Sequence, residues 1–141
     1  MSRRRSPRVE LGERDYALLG SVGRLRFMSG DQVARLHFAE GTPGGRQRRA
    51  QAALRRLTDD GYLHRLPRRV GGASSGSARF VYQLGYRGQK LVWPDRPART
   101  PDQTGWLFVE HCVAIGAVVV ESFEAERAGE ARELRLQLEP A

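Results

Sequence analysis

Four residues carry the most specific chemistry in the chain: Arg48, Gln51, Ala52 and Arg55. Placed on a helix read from about Pro43 to Asp60, they fall on one face, opposite Ala50, Ala53, Leu54 and Leu57. The aliphatic set buries. The other set has the groups that read base edges in a major groove. An Arg fork donates two hydrogen bonds to guanine, a Gln amide pairs with adenine, and small Ala52 lets the helix axis come close. Arg49 and Arg56 fall on one flank and Arg46 lies toward the start, where guanidinium groups can hold phosphates. Asp59 and Asp60 are expected to pair with Arg55 and Arg56 four residues back.

A basic helix face alone is ordinarily just solvated. Its neighbours raise its significance. After Gly61, which suits a left-handed helix terminus, Tyr62–Leu66 reads as a strand. Arg79–Leu84 reads as a second strand, with Phe80, Tyr82 and Leu84 inward against Val81 and Gln83. Between them, Pro67 to Ala78 holds three glycines and three serines and almost no apolar side chain. Arg68 and Arg69 stand where the first strand is left and Arg79 where the second is entered, so charge flanks both roots of a loose hairpin.

The preceding elements position this unit. Leu11, Leu18, Leu19, Val22 and Leu25 repeat at helical spacing over a first helix read at 12–26, with Glu13 and Asp15 at its positive end. Gly20 and Gly23 either weaken it or admit a close neighbour. Residues 25–28 read as an extended bridge. Ser29 and Gln32 have the spacing of a reciprocal capping box and open a second helix over about 30–38, with Val33, Leu36 and His37 toward the core. Gly41 breaks it, and Thr42 with Pro43 starts the third. Helix, helix, helix, strand, loose basic loop, strand is the order of a winged helix-turn-helix, with the loop as the wing along backbone or a minor groove.

The rest supports that unit. Residues 85–92 read as a short helix beneath the hairpin. Residues 93–104, with three prolines, read as a linker. From Gln103 or Thr104 to about Ala128 the pattern is a long helix with two apolar stripes. One holds Phe108, Cys112, Ile115, Val119 and Phe123; the other holds Val109, Val113, Gly116 and Val120. A helix this broadly apolar must bury two sides. The expected partners are its own domain and, through the Phe108 stripe, a second copy of the chain. A turn at 128–130 and a final strand through Leu134, Leu136 and Leu138 complete the reading.

Charge follows the same division. The 141 residues carry a formal net charge of +8. Residues 1–92 hold 19 Lys/Arg against 7 Asp/Glu, and residues 93–141 hold 5 against 9. A basic front and an acidic tail fit a polyanion-binding module joined to a part that stays off the polyanion. Every basic residue except Lys90 is Arg. A coding bias explains the richness but not its distribution. The fold class is therefore mainly α with a small β-hairpin: a disordered basic arm at 1–9, a winged helix-turn-helix domain at 10–92, a linker at 93–104, and a dimerisation helix with a final strand at 105–141.

Enzymatic chemistry finds no constellation. His37, His64 and His111 are scattered, and no Cys/His spacing suits zinc. His111 and Cys112 are neighbours about 100° apart on a helix in an apolar stretch. Gly44-Gly45 and Gly71-Gly72 lack a phosphate-loop Lys-Ser/Thr. No cofactor, metal or enzymatic activity is expected. One cysteine fits a reducing compartment. Arg3, Arg4 and Arg5 lead no apolar segment, and the run Trp106–Val120 carries Glu110 and His111, so no membrane association is expected. The expected location is cytoplasmic, on the nucleoid.

The chain also resembles the bacterial replication-relaxation family over about residues 10–128. The matching pieces are the bridge Arg26-Phe27-Met28, Leu36-His37-Phe38, Arg55-Arg56-Leu57 with Gly61-Tyr62-Leu63, Val81-Tyr82-Gln83-Leu84, and a helix opening with His111. The resemblance implies a winged-helix protein of plasmids or mobile elements that binds double-stranded DNA and controls replication, relaxation and transfer, or transcription. Replication or relaxosome proteins are implied as further partners. Many members continue into an acidic, nuclease-like region; residues 1–141 contain no such carboxylates, as in a short member or a piece of a longer protein. The alternative is a protein-interaction winged helix, an adaptor inside a relaxosome or transcription complex.

Overall fold

The computed structural model describes residues 10–69, 79–101 and 105–138. The arm at 1–9 and the tip of the expected wing, 70–78, lie outside them, as do the side chains of Arg68, Arg69 and Leu134–Leu138.

Helix α1 spans Glu13–Leu25 and buries Leu18, Leu19 and Val22 completely, with Leu11 and Leu25 half-buried beside them. Helix α2 spans Gly30–His37. Its capping box forms as the spacing requires. The Gln32 amide N–H donates to Ser29 Oγ at 3.2 Å, and the Ser29 N–H donates to Gln32 Oε1 at 3.0 Å. Helix α3 spans Pro43–Asp59; Thr42 Oγ1 caps it by accepting from the Gly45 N–H at 3.1 Å. Its end is sealed by two reversed bonds, Tyr62 N–H to the Leu57 carbonyl and Gly61 N–H to that of Thr58. That closure needs a left-handed residue, and Gly61 supplies it with φ of 82°. Ala50, Ala53, Leu54 and Leu57 are buried against α1 and α2.

The sheet has three strands rather than two. The expected bridge supplies β1, Met28–Ser29, which pairs antiparallel with β3, Phe80–Leu84; β2, Leu63–Arg69, pairs with the other side of β3. β2 runs further than the expected Tyr62–Leu66, taking Pro67, Arg68 and Arg69 into the strand. Proline is admitted because β2 is an edge strand and the pairing with β3 is irregular between Arg65 and Arg69.

Helix α4, Tyr86–Val92, packs on α1 and the sheet. Gly23 makes this possible. A Cβ there would stand 2.8 Å from Val92 Cγ1, whereas Gly20 faces open space. The segment after α4 is tied down. The Gln89 side chain exchanges two 2.8 Å hydrogen bonds with the backbone of Arg99, and the Tyr86 hydroxyl lies 3.1 Å from Thr100 Oγ1.

Helix α5 spans Trp106–Leu138 and corrects two expectations. No turn forms at 128–130 and no strand follows. A strand must find a ladder partner for every other backbone group, whereas Ala, Glu, Arg, Leu and Gln over 131–138 are helix formers that satisfy their own. The other correction concerns β3. Tyr82 and Leu84 join the α1–α3 core as expected, yet Val81 and Gln83 are buried too. The first turns of α5 cover that face, where Val109 and Cys112 meet Phe27, Leu66 and Val81.

α2 holds α5 further along. Gln32 Nε2 donates to the Val113 carbonyl at 2.7 Å across Gly116, whose missing Cβ leaves room for the amide. Arg35 forms a two-bond fork with Glu124 at 3.0 and 2.5 Å, and Arg127 donates to the carbonyls of Arg35 and Leu36 at the end of α2. The 25-residue stretch Trp106–Glu130 is long and apolar enough to cross a membrane by length and composition. Val109, Cys112 and Val120 of that stretch are buried against the chain, and its Glu124 pairs with Arg35 of α2.

Candidate nucleic-acid interface

The arginines of α3 sort into two groups. Arg46, Arg49 and Arg56 turn back onto their own chain. Arg46 Nη1 reaches the Ala39 carbonyl at 3.4 Å, Arg49 donates to the Glu40 carbonyl, and Arg56 forks onto Asp15 of α1. Arg56 thus pairs with a carboxylate far away in sequence, not with Asp60 as the helical spacing led one to expect. The Asp15 fork holds the Arg56 guanidinium's pKa up, despite the opposing effect of burial.

Arg48 and Arg55 behave differently. Both are exposed, and neither has an ion-pair partner among the described residues. Ala52 is exposed between them, and Gln51 is half-buried beside them. The Gln51 amide nitrogen has no hydrogen-bond partner among the described residues.

Beside this face runs a groove of about 670 Å³ between α3 and the sheet. Gln51, Ala52, Arg55 and Thr58 line one wall; His64, Arg65 and Tyr82 line the other, with Asp59 at the side. The sequence reading missed the second wall. His64 and Arg65 lie within the expected strand Tyr62–Leu66, but nothing in a five-residue strand pattern tells which exposed residue faces the helix. Arg65 is the notable addition. Its guanidinium lies 4.2 Å from the Phe80 ring centre, which holds a cation at the mouth of the groove. Burial pushes the Tyr82 phenol up from its ordinary range, and nearby Arg65 partly opposes that. Arg79 is exposed at the start of β3.

The expected dimer stripe is split. Cys112 is turned inward against Phe27, Leu66 and Val81, and burial raises its thiol pKa. It belongs to the chain's own core, because the first turns of α5 rotate that position onto β3. Phe108, Ile115 and Phe123 are exposed and Val119 is half-buried. Phe108 stands edge-on to Phe27 at 6.4 Å, with Arg26 over its face at 5.1 Å. Leu107 and Val118, 84% and 62% exposed, extend the apolar surface and were not assigned to it from sequence. Among the described residues, no three His, Cys, Asp or Glu side chains converge as metal ligands do.

The sequence pattern of the replication-relaxation family matches residues 19–139. The chain belongs to the replication-relaxation family. Comparisons with curated proteins and with solved structures return no match. The family match spans α3, both walls of the groove and all of α5.

Proposed function

We propose that the chain is a sequence-specific double-stranded DNA-binding protein of plasmid or mobile-element replication, relaxation and transfer, or transcription. It works in the cytoplasm as a homodimer without cofactor or enzymatic step. Helix α3 enters the major groove. Arg48, Gln51 and Arg55 contact bases around Ala52, and Arg68, Arg69 and Arg79 hold backbone from the wing.

The observation that carries this reading is the partition of the α3 arginines. Three are engaged by their own chain, while Arg48 and Arg55 stand exposed on either side of a small residue, next to a groove with Arg65 on its far wall. A helix face that is merely solvated would have no reason to border a groove with an arginine on its far wall. The apolar surface of α5 supports the dimer: five large side chains, Leu107, Phe108, Ile115, Val118 and Phe123, remain exposed on one helix. Two copies joined there would set the spacing of two half-sites.

Selection of bound sequences from random duplex tests the reading, with a palindromic consensus expected. Arg48→Ala and Arg55→Ala should each weaken the selected site at least tenfold and random duplex far less. Arg68→Ala and Arg69→Ala should each make the salt slope shallower by about one unit. Ile115→Asp with Val118→Asp should give a monomer in sedimentation. No duplex binding at micromolar protein and moderate salt would replace this reading with an adaptor that docks an acidic protein.

A further inference from the structure

A second arginine cluster is formed by residues outside α3 and the hairpin. A groove of about 700 Å³ is lined by Arg24 and Arg26 at the end of α1, by Arg96 and Arg99 of the strap after α4, and by Gln89 and Trp93 between them. All four arginines are exposed, and the lining contains no carboxylate among the described residues. None of the four forms an ion pair among those residues.

Strand register places this groove at the end of β3 opposite the wing. β3 runs from the wing root at Phe80 to Leu84, and Met28 pairs with Tyr82 and Ser29 with Val81. Arg26, two residues before Met28, therefore lies toward the Leu84 end. Gly23 confirms the location, since a Cβ there would meet Leu84, Val92 and Trp93.

The cluster is held in shape rather than gathered by chance. Gln89 fixes the backbone of Arg99 from both sides, and the Trp93 ring carries the Arg96 guanidinium at 4.8 Å. Arg26 is the one non-glycine residue with positive φ among the described residues, at φ 73° and ψ −47°. A side chain in that conformation is strained, and glycine is the usual occupant. Here an arginine occupies it, at the rim of a cationic groove.

We infer that this back groove binds the phosphate backbone of a second DNA segment, so that one protomer holds two duplexes. Guanidinium groups on several elements, with no ion-pair partner and no carboxylate in the lining among the described residues, match phosphate chemistry. A groove open to solvent suits a continuous backbone.

The test separates the two faces. In protein carrying Arg48→Glu and Arg55→Glu, sequence-independent duplex binding should remain. In that background, Arg24→Glu and Arg99→Glu should each weaken it about fivefold or more, while Arg132→Glu, the same charge change on exposed α5, should change it less than twofold. With α3 intact and saturated by the selected duplex on beads, wild-type protein should capture a labelled second duplex. The variant Arg24→Glu/Arg99→Glu should lose that capture and keep its affinity for the first duplex within twofold. Equal effects of the Arg24, Arg99 and Arg132 reversals, or unchanged capture, would overturn the inference, as would displacement of the second duplex by micromolar AMP, which would make the ligand a free phosphate compound. Neutral Arg48 and Arg55 reversals would overturn only the reading of α3.

Discussion

Arg56 and Asp15 meet in a two-bond fork, Nη2 to Oδ1 at 2.8 Å and Nη1 to Oδ2 at 3.1 Å, and Oδ2 also accepts the Gly12 N–H at 3.0 Å. One carboxylate thereby caps α1 and fastens it to α3. Asp15 is 7% exposed, so removing the guanidinium strands a nearly buried charge. Arg56→Ala should cost about 2–3 kcal/mol, whereas Arg48→Ala and Arg55→Ala should stay within about 0.5 kcal/mol. Urea midpoints measure this, and equal midpoints for all three would remove the fork from the fold. The pH signature agrees in sign. Chiefly the Arg56 fork lowers the Asp15 pKa below its ordinary 3.8. The resulting stability is present above pH 3.8 and is lost as pH falls through the lower folded value; Arg56→Ala should flatten that limb.

Two glycines give opposite predictions. A Cβ at Gly88 would stand 2.1 Å from the Tyr62 carbonyl oxygen, and backbone cannot yield as a side-chain tip can. Gly88→Ala should destabilise by about 1–3 kcal/mol or block folding. Gly20 has open space where its Cβ would be and lies inside α1, so Gly20→Ala should stabilise by roughly 0.5–1 kcal/mol. Thermal melts decide, and a loss at Gly20 or a gain at Gly88 would contradict the packing.

Local signals were legible in the sequence. Ser29–Gln32, Thr42 and Gly61 each act through neighbours a few residues away, so their spacing specified α2, α3 and its end. The apolar face of α3 was equally readable because helical period decides it. Relations across the chain were not. Arg56 has Asp60 at helical spacing and Asp15 in space, and only packing of α1 on α3 chooses between them. Val81 and Gln83 alternate like a solvent face, and α5 from far downstream buries them. Leu134, Leu136 and Leu138 alternate like a strand, but alternation supplies no ladder partner. Cys112 shared a stripe with Phe108 and Ile115 on a helical wheel, yet it sits just far enough round to meet β3. The second wall of the α3 groove and the arginine cluster at its back depend on elements joined only in the folded chain.

The clasp between α2 and α5 predicts local loosening. Arg127 reaches the carbonyls of Arg35 and Leu36 at 3.2 and 3.0 Å, and Arg35 holds Glu124. These contacts are half-buried, so Arg127→Ala should cost about 1–2 kcal/mol. Amide exchange should rise in α5 after Glu121 and stay slow around Val109 and Cys112, which sit in the core. Uniformly faster exchange along α5 would mean that the clasp does not act locally. Raised salt should reproduce part of the effect in the wild type.

His37 predicts a pH dependence at mildly acidic values. Its Nε2 lies 2.8 Å from Ser21 Oγ; burial first, then the charges of Arg127 and Arg14, bring its pKa from 6.5 to about 4. The unfolded chain therefore binds the proton more readily than the folded one between these values. The stability contributed by neutral His37 is fully present above pH 6.5 and is lost as pH falls toward 4, roughly 2 kcal/mol by pH 5. Asp15 and Glu124 do not share this window, since both have folded values lowered from 3.8 and 4.5 and contribute fully above those. Urea midpoints at pH 7.5 and pH 5 should differ accordingly in the wild type. In His37→Gln, which keeps a polar partner for Ser21 without a titrating group, most of the difference should vanish. An unchanged pH 5 loss in that variant would place the titration elsewhere.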